Sequence, residues 1–228
     1  MVDLVIFDCD GVLVDSEVLS ADALIAELRG VGLEITREDV RKHFLGRSFP
    51  TVAAMLSRDF GAVLPPSFEA DYRARLLRDF EDRLTPTPGL PAVLSEISVP
   101  VCVATSSSPA RTKRALEVAG LSAHFGPHVF TASEVAHGKP APDLFLHAAA
   151  RMGARPRDSL VIEDSVPGLE AAEAAGIPSL RFVGGAHLAG ETAELPAGTL
   201  GSFDNWRELA QVCPSLFREE QDGAQLER

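Results

Sequence analysis

Short apolar runs recur along this chain, and the stretches between them carry apolar residues at helical spacing. The runs at 4–7, 99–104, 128–131, 160–162 and 179–183 read as buried strands. Between the later runs, 109–119, 142–152 and 166–175 read as helices, each with a proline near its start and a glycine (Gly120, Gly153, Gly176) past its end. Alternation of this kind predicts a parallel sheet with right-handed crossovers. Residues 16–85 break it, with no convincing strand and four helical stretches at 16–30, 36–44, 50–60 and 67–84. Asp15 or Ser16 suits an N-cap for the first, and Thr36-Arg37-Glu38-Asp39 opens the second in the manner of a capping box. The stretch closes on Thr85-Pro86-Thr87-Pro88-Gly89, a stiff linker.

The predicted fold class is α/β: a Rossmann-like parallel sheet core with helices on both faces and an inserted small helical cap domain. Residues 1–15 and 86–213 form the predicted core, 16–85 the cap and 214–228 a C-terminal tail. Hinges are expected near Val14 and Pro86. The tail is polar apart from Leu216, Phe217 and Leu226 and is expected to fray.

With 228 residues, 46% of them hydrophobic, the chain can build one full α/β domain and an insertion. Its formal net charge of -12 repels nucleic acid and anionic membranes, and no Lys/Arg block offsets it. An anionic substrate would therefore need cations placed locally. Cys9, Cys102 and Cys213 are widely spaced and odd in number, which fits a reducing compartment; Cys9 and Cys102 read as small buried hydrophobes. No basic leader precedes the first apolar run, and no run approaches the roughly 20 residues of a membrane span. A cytoplasmic monomer is expected.

The candidate chemistry sits at four successive strand ends. Asp8-Cys9-Asp10-Gly11 follows the first run, and a turn at Gly11 would aim the two acids differently, although such residues also make ordinary turns. Thr105-Ser106-Ser107-Ser108 sets hydroxyls ahead of a helix start, which suits a phosphate oxygen or a simple N-cap. Gly138-Lys139-Pro140 holds one of only three lysines, the others being Lys42 and Lys113, and its ammonium can reach a phosphoryl group and a carboxylate together. Glu163-Asp164-Ser165 ends another apolar run in adjacent acids, of the oxygen-rich type that suits magnesium. Four such clusters at four strand ends are harder to dismiss than any one. In an open parallel sheet, ligands bind outside the carboxyl ends of the strands.

Together, residues 8–17, Thr105-Ser106, Lys139-Pro140 and Glu163-Asp164-Ser165 with Gly168 resemble the motifs of the haloacid dehalogenase superfamily, in its β-phosphoglucomutase-like sugar-phosphate phosphatase branch. The resemblance spans nearly the whole chain. It implies that Asp8 is the nucleophile that forms an aspartyl-phosphate and Asp10 the general acid/base. Thr105 and Lys139 would hold the phosphoryl group, with Ser106 beside them. Mg2+ would be bound by the Asp8 and Asp164 carboxylates and the Asp10 carbonyl, with Glu163 acting through water.

The partner implied is a small phosphorylated sugar or sugar acid, with 6-phosphogluconate and hexose 6-phosphates as examples. Candidate substrate contacts are Glu17, Lys42 and Arg47 from the cap and Arg111 from the core. Acid chemistry at Asp10 requires a raised pKa, and burial under the cap is expected to supply it. Mutase-type sequences carry a histidine where Ser20 stands and a cap arginine where Phe49 stands, although Arg47 is near. These departures favour hydrolysis over isomerisation. Asp10 argues against a metal-free dehalogenase, and the full set of acids and lysine argues against a non-catalytic binding module. None of the six histidines has metal-ligand spacing, and none is given a role.

Overall fold

The computed structural model describes residues 2–44, 47, 49–188 and 195–217. Six strands, β1 (Leu4–Phe7), β2 (Val101–Thr105), β3 (Val129–Thr131), β4 (Ser159–Glu163), β5 (Ser179–Phe182) and β6 (Thr199–Phe203), form one sheet in the order β3-β2-β1-β4-β5-β6. Every neighbouring pair is parallel, with Ile6 opposite Cys102 on one side and Val161 on the other. β1 is therefore central, which explains why all four of its residues are apolar and buried.

Alternate side chains feed two apolar layers. Val5, Phe7, Val103, Leu160 and Ile162 face one, together with Phe125, Phe182 and Trp206, whose ring stacks on Phe182 at 4.6 Å. Leu4, Ile6, Cys102 and Val161 face the other, packed by Leu144, Phe145, Ala148, Ala171 and Ala172.

Among the described residues, ten α-helices accompany these strands: α1 (Glu17–Gly30), α2 (Arg37–His43), α3 (Phe49–Phe60), α4 (Phe68–Arg83), α5 (Leu90–Glu96), α6 (Pro109–Val118), α7 (Ser122–Phe125), α8 (Asp143–Arg151), α9 (Val166–Ala174) and α10 (Leu209–Val212). Between β1 and α5 the described residues contain α1–α4 and no strand. The capping box at Thr36 is formed, its hydroxyl accepting from Asp39 N while Asp39 accepts from Thr36 N. The chain leaves and re-enters the sheet side through paired segments. Val14 bridges Pro86, Asp15 N donates to Thr85 O (3.1 Å) and Thr87 N to Leu13 O (3.0 Å). Thr87 is locked from below, its hydroxyl donating to Val12 O and accepting from the Trp206 indole.

Several elements depart from the sequence reading, the short helices α7 and α10 among them. β6 is an edge strand with alternate exposed positions, so it has no apolar run to announce it. The short α5 was also absent from the sequence reading, although Leu90, Val93 and Leu94 stand at helical spacing and Pro91 lies in its first turn. The tail does not fray from 214: Pro214–Leu216 forms a 3₁₀ turn, Leu216 is fully buried, Ser98 N donates to Leu216 O and Phe217 bridges Ile97. Residues 218–228 lie outside the described residues. Among the described residues, no helix is long and apolar enough to cross a membrane.

Candidate active site

Asp8 continues the β1 ladder by one residue, its N–H donating to Ile162 O (3.0 Å), before the chain turns back on itself. Gly11 makes that turn at φ +80, where a Cβ would also lie 2.3 Å from an Asp164 oxygen. Lys139 reaches in over the Phe145 ring and donates to Asp8 Oδ1 (2.6 Å), Glu163 Oε1 (2.8 Å) and Ala104 O (3.0 Å). Its side chain is 3% exposed. Glu163 turns its other oxygen to the N–H and hydroxyl of Ser165, and lies against the first turn of α9 so closely that a Cβ on Gly168 would overlap it. Thr105 is buried at the end of β2, its hydroxyl accepting from Ser107 N (3.1 Å), and Ser106 stands beside it on the same cavity wall.

Asp10 faces a different set. Arg111 Nη2 (2.7 Å) and Ser16 Oγ (2.5 Å) donate to one of its oxygens, and the Ser107 hydroxyl donates to the other. Burial pushes its carboxyl up, but Arg111 and the two hydroxyls outweigh burial and hold it below the usual range. This corrects the expectation of a raised pKa: the insertion covers Asp10, yet α6 brings a guanidinium with it. Asp8 moves the other way. Its burial is only partly offset by Lys139, and Glu163, Asp164 and Asp10 add repulsion, so its pKa stands well above the ordinary value. Burial and the charges of Glu163 and Glu17 raise Asp164 in the same way, while Lys139 holds Glu163 low against its own burial.

Oxygens of Asp8, Glu163 and Asp164 lie within 4.8 Å of one another, and all three residues are buried. Asp8 and Glu163 share Lys139 and Asp10 pairs with Arg111, while Asp164 adds a fourth carboxylate. An oxygen-only set with surplus negative charge fits a hard divalent cation.

Helices α1, α2, α3 and α4 roof a cavity of about 420 Å³ over these acids. Glu17, Ser20, Arg47, Tyr72, Arg73 and Arg111 line it, but Lys42 does not. Lys42 is exposed on α2, two residues past the buried Val40 that does line the cavity, and so on the helix's outer side. Glu17 is half-buried, and loss of water together with the Asp10 charge raises its pKa. Tyr72 joins two residues noted in the sequence: its hydroxyl pairs with Ser20 Oγ at 2.7 Å and its ring stacks on Phe49 at 5.7 Å. Arg73 donates to Glu69 and to Ser108 Oγ, linking α4 to the start of α6.

The sequence reading missed Tyr72 and Arg73, and it took Ser16 as an N-cap and Ser107 as one of four hydroxyls at a helix start, whereas both hydroxyls donate to Asp10. It also set aside His187, which the structure places with its Nε2 2.8 Å from Asp164 Oδ2. The available signal was a fifth strand end, where Gly184-Gly185-Ala186-His187 follows β5.

The model of one protein family, haloacid dehalogenase-like hydrolase, matches residues 2–176. The chain belongs to that family. It is 30% identical over 188 residues to 6-phosphogluconate phosphatase of Escherichia coli K12, covering 82% of this chain and 85% of the relative. With fructose-1-phosphate phosphatase YqaB of the same organism it shares 33% identity over 179 residues, covering 77% and 93%. Among solved structures, a HAD family hydrolase of Deinococcus radiodurans with bound phosphate and sodium superposes with a TM-score of 0.74 at 32% identity, covering 95% of this chain and 97% of that one. The chain is thus a hydrolase of the haloacid dehalogenase family with its parallel-sheet fold, as its motifs led one to expect.

Proposed function

We propose that this hydrolase is a magnesium-dependent phosphatase acting on a small phosphorylated sugar or sugar acid through an aspartyl-phosphate on Asp8. The arrangement of Lys139 between Asp8 and Glu163, with Asp164 alongside, carries the reading. A carboxylate attacking a phosphate monoester meets like charge, so cations must surround the reacting centre. Asp8, Asp164 and the Asp10 carbonyl would hold Mg2+, with Glu163 tied to Lys139 and Ser165 and so acting at one remove. Bound magnesium would supply positive charge to the phosphoryl oxygens and keep Asp8 ionised.

In the first half-reaction an Asp8 oxygen bonds to phosphorus, the bond to the sugar oxygen breaks, and Asp10 gives that oxygen a proton. In the second, water attacks the phosphorus, its proton passes to Asp10, and phosphate leaves with Asp8 restored. Lys139, Thr105 and Ser106 hold the phosphoryl oxygens. Arg111 holds Asp10 as the carboxylate, the form that accepts the proton from water; donation requires Arg111 to exchange Asp10 for substrate. The sugar or sugar-acid class is supported by the relatives' substrates and by the cavity's mixture of arginines, hydroxyls and aromatic faces. Ser20 and Phe49, closed together by Tyr72, favour water over a second sugar as acceptor.

A panel of phosphorylated sugars and sugar acids, assayed for released phosphate with and without EDTA, tests the proposal. Release that EDTA abolishes and Mg2+ restores is expected. Turnover unaffected by chelation would end the metal mechanism, and conversion of β-glucose 1-phosphate to glucose 6-phosphate in preference to free sugar would replace hydrolysis by isomerisation.

A further inference from the structure

His187 lies on a 3₁₀ turn, Ala186–Leu188, just beyond β5, and its side chain is 5% exposed. Two glycines make the slot that holds its ring. A Cβ on Gly11 would stand 2.7 Å from the ring's Cε1, and a Cβ on Gly185 would stand 2.7 Å from Cε1 and 2.8 Å from Nδ1. The imidazole is thus clamped between the turn after β1 and the turn after β5, with Nε2 2.8 Å from Asp164 Oδ2. With Asp164 ionised, as it would be when holding a cation, the carboxylate only accepts and Nε2 donates. Arg181 Nε meanwhile donates to the main-chain oxygen of Asp164 at 2.9 Å. Backbone and side chain of that acid are both held, and His187 engages just one of its two oxygens.

The terminal torsion of a free aspartate is broad, and a carboxylate that must be ordered on binding loses affinity for it. We infer that His187 is a positioning residue for Asp164, fixing the rotation of that carboxylate for the divalent cation. The inference rests on the metal reading above. It assigns the histidine no contact with substrate or reacting atoms. Its role is that of an outer hydrogen-bond partner, the kind whose loss weakens metal affinity by about 10- to 100-fold.

The test is calorimetric titration of the full chain with Mg2+, free of substrate, for the parent, His187→Ala, His187→Gln and Gly185→Ala. His187→Ala is expected to weaken Mg2+ binding about tenfold or more. His187→Gln, whose amide donates from a similar reach, is expected to recover most of the loss. Gly185→Ala keeps every acid and the imidazole but displaces the ring, its Cβ also standing 3.0 Å from Gly11 O, and is expected to weaken Mg2+ as well; with His187→Gln it carries the test should His187→Ala fail to fold. Mg2+ affinity equal to the parent's in folded His187→Ala and Gly185→Ala would overturn the inference and leave the metal reading intact. A parent that binds no Mg2+ would overturn both.

Discussion

The two walls of the cavity spend charge in opposite ways. On the sheet side, Asp8, Lys139 and Glu163 come from distant parts of the chain, Lys139 being 131 residues from Asp8, and their side chains are almost wholly buried. On the helical side the ion pairs are mostly short-range and wet, such as Arg41 with Glu38, Arg73 with Glu69 and Arg29 with Glu34. What the helical side presents to the cavity is the stacked Phe49 and Tyr72 together with Glu17, Arg47 and Arg73. Buried charge is expensive to assemble, and a fold keeps it where chemistry needs a strong field. Wet charge is cheap and carries little information about function.

The sharpest test of that division is Asp8→Asn. The amide keeps the shape but cannot bond to phosphorus as the carboxylate does, so phosphate release is expected to fall by on the order of a thousandfold or more. Since burial already penalises the charged form of Asp8, a neutral isostere is expected to leave the thermal midpoint unchanged or raise it. Near-parental phosphate release by Asp8→Asn would remove this carboxylate from the nucleophile's place.

Stability should divide along the same line. Lys139→Met keeps the stem over Phe145 but leaves Asp8 and Glu163 without their shared cation, a loss of about 3–5 kcal/mol by the usual cost of orphaning a buried charge. Arg37→Met, which removes a mostly exposed partner of Asp22 on the helical side, is expected to cost below about 1 kcal/mol. Urea unfolding of both variants in EDTA measures the contrast. Equal losses would erase the distinction between the two walls.

The same distinction explains what the sequence revealed. Asp8, Asp10, Thr105 and Asp164 stand at or just beyond strand ends, which apolar runs mark plainly, so their convergence followed from the fold class; Lys139 instead sits in the loop eight residues past β3 and reaches back to them. His187 was hidden because its partner is set by the order of strands: β5 lies beside β4, and only that adjacency brings residue 187 to residue 164. The state of Asp10 was hidden for a similar reason, since Arg111 lies 101 residues away and burial alone pointed the other way. Lys42 misled because charge was weighed without helix phase; with Val40 turned inward, residue 42 is rotated roughly 200° around α2. β6 stayed unseen because two of its five residues are exposed and just Phe203 is buried.

The smallest effect belongs to the helical wall, where Tyr72→Phe removes one hydroxyl and leaves the stack on Phe49 intact. The Ser20 hydroxyl then loses its 2.7 Å partner inside the cavity. A neutral hydrogen bond of this kind contributes about 0.5–1.5 kcal/mol, which corresponds to a few-fold to roughly tenfold change in kcat/KM. If the helical wall selects substrate and the sheet wall performs the reaction, the change should fall mainly on KM and differ between sugars that place a hydroxyl at this position and those that do not. Steady-state kinetics on two such sugar phosphates separates the cases. A loss in kcat of equal size for both would mean that Tyr72 acts on the reacting centre, and that the two walls are coupled more tightly than their charges suggest.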